Sequence, residues 1–440
     1  MPRPLADRLS SVTPGVALGA ACVIAAASHL VFILLFGKTE SHANIWEYGE
    51  EARCALTHGG DLCQTYWNGW PGVYPTAYMP PLLSYVWLVL LKLFGDDAIA
   101  RGAFLAINYG LSVGGVALAF MLARRLGLSV LAAFLSAMIL ALYPTFLFVQ
   151  TTYHQTETAV VLLLALCVLA AGVLQAPRVS IGSAIALGVV SALATLNRTE
   201  MLVIGPVVIL MVSAWRRSAK TLVAAGLVMA LVMAPWVARN WLVFHKLIPV
   251  AQSSGYNLWK GYNPYTNGSG NMTEAPGSPG QAALMRIYSA TPPGPNFETR
   301  LQANYSSALK ADVQHAGPAR LVQLTATKVA LLWLFDWTDR DITHRPIYWA
   351  PWLVANALAL LGLVRLIREG EFDLRVAAVC VATLALLTAA YGLTSVHARY
   401  RMHIEPFLFL LAGAGAEILV LRLLPGLRPT GRIVQPPQAA

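Results

Sequence analysis

The chain has 440 residues, of which 57% are hydrophobic and 12% charged, and a formal net charge of +10. A soluble domain carries roughly a quarter charged residues, so this one has too little charge to solvate its outside, and the apolar runs recur along nearly the whole length. A nucleic-acid binder needs a clustered basic face, whereas the 31 Lys and Arg here are scattered in ones to threes between apolar runs. Composition therefore excludes a soluble enzyme and a nucleic-acid partner, and points to an all-α, polytopic membrane helix bundle.

A membrane-crossing helix needs about 17–25 mostly apolar residues. In chain order the candidates are 14–36, 102–123, 128–149, 157–175, 179–196, 201–215, 221–238, 347–364, 376–394 and 404–421. Two further apolar stretches, 81–95 and 321–335, are shorter, and each holds a lysine, Lys92 or Lys328. If neither crosses, and if the N-terminus is cytoplasmic, the cytoplasmic segments collect fourteen basic against four acidic residues, and the outer segments seventeen against sixteen. This is the asymmetry of the positive-inside rule. Crossing by 81–95 alone would turn Arg124–Arg125 and Arg216–Arg217 outward. About ten spans are expected, with 81–95 and 321–335 as interfacial helices in large outer loops. The first apolar run is too long for a cleaved leader and reads as a retained span. Glu417, inside the last span, is expected to snorkel toward the cytoplasmic end.

The expected organisation is an N-terminal transmembrane module over 1–242, with its first outer loop at 37–101, and a large outer loop over 243–346. C-terminal transmembrane helices follow over 347–424, then a disordered cytoplasmic tail over 425–440. The tract from Gly261 to Pro295 is rich in Gly, Pro and Asn and suits an irregular loop.

Sidedness concentrates the chemistry. Eight of the nine His fall outside, and only His29 lies within a span. The outer span ends carry Glu47-Tyr-Gly-Glu50-Glu51, His154-x-x-Glu157, Arg198-Thr-Glu200, Pro235-Trp-x-x-Arg239-Asn240, and the run from His397 to Glu405 with Arg399, Tyr400, Arg401 and His403. Ionisable groups at membrane depth are costly and often functional. In the first loop, Glu47, Glu50, Glu51 and Cys54 recur at three- and four-residue spacing, so a helix would present carboxylates on one face. A Trp/Tyr/Pro-rich tract containing Tyr78 follows. Its rings suit a lipid interface or a sugar face, and a carboxylate beside them could serve as general base toward a hydroxyl. Arginine forks fit phosphate oxygens: Arg239, Arg399 and Arg401 lead, with Arg53, Arg101 and Arg198 behind, while Tyr400 and Glu405 could orient the cluster. His154 and Glu157, one turn apart, could offer two ligands to a divalent metal or form a simple cap. Cys54 and Cys63, in a loop expected to face an oxidising compartment, could form a disulfide.

These residues carry a resemblance. The series runs from Trp46-Glu47-x-Gly49-x-x-Ala52-Arg53-x-x-Leu56-x-x-Gly59 through Pro75-Thr-Ala-x-x-Pro-Pro-Leu82, Leu93-Phe-Gly95, Ala123-Arg-Arg-Leu-Gly127, Pro144 and Pro235-Trp-x-x-Arg-Asn240. Gly261-Tyr-Asn-Pro264 and Arg399-Tyr-Arg-x-x-x-Glu-Pro406 close it. The chain resembles GT-C-type membrane glycosyltransferases, similar to glycosyltransferase family 39, which includes protein O-mannosyltransferases and aminoarabinose transferases. The resemblance implies transfer of a sugar from a polyprenyl-phosphate donor at the outer face of the cytoplasmic membrane, to a lipid, glycan or protein acceptor, with inversion. It implies an acidic residue of the first loop as base, a role that Glu47 fits best, with Glu50 and Glu51 in reserve. It implies no certain cofactor, since some relatives use a divalent metal and others none. Many relatives have an Asp-Glu pair about one turn earlier, where this chain has Asn44. The residues themselves leave two other readings open: a lipid-linked-sugar flippase or transporter, and an outer-face polysaccharide polymerase or ligase.

Overall fold

The computed structural model describes residues 12–36, 45–64, 72–95, 98–270, 275–338, 344–370 and 372–424. Asn44 and the tail 425–440 lie outside the described residues. The first helix, α1 (Pro14–Phe36), is followed by a short α2 (Trp46–His58), a two-residue hairpin of β1 (Cys63–Gln64) and β2 (Tyr74–Pro75), and α3 (Pro81–Phe94). Next come α4 (Ala98–Leu126), α5 (Val130–Leu142), α6 (Pro144–Val149), α7 (Thr156–Gln175), α8 (Ile181–Asn197), α9 (Met201–Trp215) and α10 (Ala219–Phe244). The long loop then carries α11 (Ser254–Tyr262), α12 (Pro279–Ser289) and α13 (Phe297–Trp333). It leads into α14 (Ala350–Glu369), α15 (Leu374–Leu393) and α16 (Glu405–Leu423). Seven of these helices are long and apolar enough to cross a membrane, and α5, α8 and α9 are shorter apolar helices of the same bundle. This is a multi-pass membrane protein.

The span expected at 128–149 is two helices, because Pro144 has no N–H to continue α5 and a new helix starts at its ring. Beside that break the Ala141 carbonyl accepts from His29 Nε2 at 3.0 Å, which gives one ring nitrogen of the only histidine expected within a span its partner. Ala17, Ala21, Ala25 and His29 form the buried stripe of α1 at four-residue spacing, while Val23, Leu30, Leu34 and Leu35 point outward. That inversion, small residues inward and large apolar ones outward, is what lipid as solvent demands.

Glycine sets the closest helix contacts. A Cβ added at Gly415 on α16 would collide with the Leu358 carbonyl of α14, and one at Gly362 with the Leu411 carbonyl of α16. At the end remote from the long loop, Glu417 does not snorkel. It is 1% exposed, and Arg365 Nη1 and the Ser129 hydroxyl take its two oxygens, the former at 2.6 Å. A buried carboxylate held this way has no reason to seek water.

Residues 321–333 belong to the second of two helices that meet within α13, parted from the first where Gly317 adopts φ 73° before Pro318. One loop expectation changes. The tract read as irregular contains α12, started by a Ser278 side chain that accepts from the Gln281 N–H and by Pro279 at the first helical position.

Gly415→Val should force α14 from α16 and cost about 1–3 kcal/mol, as overpacking does. Gly19→Ala, in α1 with nothing near the new methyl, should be neutral. Melting midpoints of the two variants in detergent check this, and equal midpoints would contradict the close-contact account.

Candidate active site

The segments joining the helices at the long-loop end enclose a cavity of about 420 Å³. Its wall is built from the start of α2, residues 78–80, the turn before α7, the α8–α9 turn, α11, the end of α15 and the 398–403 turn. Glu47, Tyr78, His154, Arg198, Arg399 and Tyr400 all line it. Tyr48, Glu200, Lys260 and Tyr391 line it too.

The first loop is delivered to this wall by a set of anchors. Cys54 and Cys63 are joined by a disulfide, with Cα atoms 5.4 Å apart, which ties the end of α2 to β1. Arg239 bridges Asp61 at 2.8 Å and donates to the Thr76 and Leu62 carbonyls. Trp236 and Asn240, on the same face of α10, donate to the Val250 and Ile248 carbonyls. Glu298 then accepts from the Thr76 hydroxyl and the Ala77 N–H, so the long loop holds Tyr78–Pro80 in place. The Pro-Trp-x-x-Arg-Asn motif thus pins two loops, and the structure spends Arg239 on that task rather than on the cavity.

The three first-loop glutamates part company. Glu47 follows Trp46, which holds φ 55°, a left-handed conformation rare for a bulky residue. Glu47 is half-buried in the cavity wall and forms no ion pair with a described residue. Glu50 faces solvent beside Arg53 at 2.6 Å. Glu51 points into the packing with α3, accepts from Ser84 at 2.6 Å, and burial pushes its carboxyl well above the ordinary range. Only Glu47 therefore combines a place in the cavity with freedom from an ion pair.

Opposite lie two arginines. Arg198 is 5% exposed; its Nε donates to Glu200 at 2.5 Å, and its guanidinium carbon is 5.1 Å from the Tyr400 ring centre. Arg399 lies 5.7 Å from the same ring. Arg198 Nη1, Arg399 Nε and Tyr48 Oη are buried without a hydrogen-bond partner among the described residues. Buried donors left unmade are costly unless something arrives to accept from them. Burial raises the Glu200 carboxyl, but the Arg198 charge and the hydrogen bond from Tyr391 outweigh it and hold the group below its ordinary value.

The histidines here are neutral bases. Burial first, then Arg399 and Arg198, pushes His154 well below 6.5, and its ring is wedged edge-on against Trp46 and Tyr48. His397 is pushed down by burial and by Lys260, whose Nζ lies 2.8 Å from its Nε2. His403 falls to about 3. It sits behind Tyr391 rather than in the wall. Arg401 is likewise turned away: it is buried against Glu405 at 2.8 Å and donates to the Leu334 and Tyr348 carbonyls.

At the pair expected to offer two metal ligands, His154 Nδ1 is engaged with the Thr156 hydroxyl and one Glu157 oxygen accepts from Ser112, while Glu157 Oε2 is buried without a partner among the described residues. The one group of three metal-ligating side chains close enough together among the described residues is Cys54, His58 and Cys63, and both its sulfurs are in the disulfide.

No family model and no curated protein sequence matches the chain. Solved structures do. The oligosaccharyltransferase of Archaeoglobus fulgidus, in a complex with Zn and sulfate, is 12% identical over 93% of this chain and 50% of its own, with a TM-score of 0.53. The same enzyme, AglB, with an inhibitory peptide and a dolichol-phosphate, is 12% identical over 96% and 52%, with a TM-score of 0.55. What is shared is the fold. ArnT from Cupriavidus metallidurans, bound to undecaprenyl phosphate, matches at 15% identity over 91% of this chain and 78% of its own, with a TM-score of 0.41, too low to add weight. The chain thus has the fold of GT-C membrane glycosyltransferases and spans about half the length of the oligosaccharyltransferases it matches.

Sequence reasoning missed Tyr391 and Lys260, whereas Glu200, two residues from Arg198 and able to balance its charge, does pair with it. A signal existed for Lys260: Ser253, Tyr256, Asn257 and Lys260 recur at helical spacing along α11, the face that lines the cavity.

Neutral buried histidines make the fold acid-sensitive. His403 keeps its unprotonated form down to about 3, whereas in an unfolded chain it binds a proton near 6.5. The unfolded state therefore gains protons first, and stability should fall as pH drops from 6.5 toward 3. Melting midpoints in detergent across that range should decline; a flat profile would contradict the assignment.

Proposed function

We propose that the protein transfers a sugar, with inversion, from a polyprenyl-phosphate-linked donor to an acceptor hydroxyl. The observation that carries this is one cavity, in a GT-C fold, that holds a carboxylate without an ion pair among the described residues and two arginines, Arg198 buried and Arg399 half-buried, each with a buried N–H left over. Glu47 is the general base: it takes the acceptor proton as the hydroxyl oxygen attacks the anomeric carbon from the face opposite the departing phosphate. Arg198 and Arg399 receive the phosphate, whose charge grows as the glycosidic bond breaks, and charge placed there in advance is a large share of such catalysis. Tyr48 adds a neutral donor. Tyr78 and Tyr400 supply ring faces and hydroxyls for the sugar. A dolichol-phosphate is the lipid in one of the oligosaccharyltransferase structures of similar fold, which supports this donor class.

In this reading the cavity faces the outer side of the cytoplasmic membrane and both termini the cytoplasm, because the cytoplasmic segments would then hold the basic excess. The acceptor is a lipid, a glycan or a protein, and no step runs through a metal.

The test is transfer from a polyprenyl-phosphate sugar in membranes containing equal amounts of each variant. Glu47→Gln should lose about 10²- to 10⁴-fold, the usual worth of a general base. Glu50→Gln and Glu51→Gln should keep wild-type rates. Full activity in Glu47→Gln would remove Glu47 as the base, and full activity in Arg198→Ala and Arg399→Ala as well would overturn the reaction class.

A further inference from the structure

In the cavity wall and just behind it, four side chains from three segments form one directed chain of hydrogen bonds. His403 Nδ1 lies 3.0 Å from the Tyr400 carbonyl and 2.9 Å from Tyr391 Oη. A carbonyl only accepts, so Nδ1 carries the hydrogen and is shared between the two. Having accepted from His403, the Tyr391 hydroxyl sends its own hydrogen to Glu200 Oε1 at 2.5 Å. That same oxygen accepts from Arg198 Nε at 2.5 Å. The chain ends at the cavity, where Arg198 Nη1 is buried without a partner among the described residues.

The geometry points to Tyr391 and Glu200 as positioning residues for Arg198, which fix the guanidinium so that its outer nitrogens meet the leaving phosphate. This rests on the function proposed above and adds residues that do not themselves touch the reacting atoms. Arginine has several rotatable bonds, and a single carboxylate oxygen would leave it free to pivot about that contact. Tyr391 removes this freedom twice. Its hydroxyl pins the Glu200 oxygen, and its ring stacks on Tyr400 at 4.8 Å, the ring beside which Arg198 lies. The Tyr400 carbonyl, which can only accept, is what fixes the direction of the chain, because it keeps a hydrogen on His403 Nδ1. The charged neighbours of the assembly are Arg198, Glu200 and Arg399; these and Tyr391 line the cavity, while His403 closes the buried end.

Tyr391→Phe keeps the ring stack and deletes the hydroxyl. With a polyprenyl-phosphate sugar as substrate, kcat should fall roughly 10- to 100-fold while KM changes less than about twofold, because misplacement costs transition-state contacts before ground-state ones. The melting midpoint should not move. On an Arg198→Ala background the same substitution should cost nothing further, since it acts only through that arginine. Glu200→Gln, which keeps an oxygen for both donors, should retain more activity than Glu200→Ala. Wild-type kcat in Tyr391→Phe overturns the inference while leaving the functional reading intact. A full additional loss on the Arg198→Ala background, or a drop in midpoint that tracks the loss in rate, makes Tyr391 merely structural and also overturns it. Unchanged transfer in Arg198→Ala removes the functional reading and this inference together.

Discussion

A guanidinium taken out of water at the end of a helix bundle has to be compensated on every side, and Arg198 shows how this protein does it. The ion leaves bulk solvent at a penalty of several kcal/mol, recovered only by good geometry and full hydrogen bonding. Glu200 supplies the opposite charge, and the rings of Tyr400 and Tyr391 lie 5.1 and 6.0 Å from the guanidinium. One nitrogen of the fork, Nη1, is left without a partner among the described residues, on a side chain that lines the cavity. The same demand explains the neutral histidines nearby: positive charge from Arg198 and Arg399, added to burial, leaves His154 no room for a proton. A site that concentrates fixed positive charge while holding its other bases neutral is suited to an arriving anion.

The loops exist in their shapes because other buried polar groups needed partners. Arg239 does for the first loop what Glu298 does from the opposite direction, and between them they hold residues 76–80 against the wall. Lys328 of α13 works in the same way on the far side. Its Nζ donates to the Thr394 carbonyl at 2.8 Å and lies 3.4 Å from the centre of the Tyr262 ring, locking α11 and the end of α15 together. These contacts leave Glu47 as the first-loop carboxylate that lines the cavity without an ion pair.

Much of this was legible in the sequence, and the division has a physical basis. Hydropathy reports how many residues prefer lipid, so α1 and α9 begin and end where the apolar runs do. The positions of Glu47, Arg198, Arg399 and Tyr400 at one end of the bundle followed from counting spans. What a linear reading cannot assign is which arginine finds a carboxylate. Arg239 and Arg401 sit in motifs as suggestive as that of Arg399, yet Asp61 and Glu405 claim them. Glu51 looks as acidic as Glu47 until the fold turns it toward Ser84. Tyr391, inside an apolar helix, gave no sign at all, because its role depends on a glutamate 191 residues earlier in the chain.

The central claim is that the cavity accepts a lipid phosphate through Arg198 and Arg399. Native mass spectrometry of the purified protein titrated with undecaprenyl phosphate tests it without any need to know the sugar or the acceptor. The account predicts one bound lipid per chain in the wild type and in Glu47→Gln, and its loss in the Arg198→Ala/Arg399→Ala double variant at an unchanged melting midpoint. Undiminished binding in that folded double variant would contradict it.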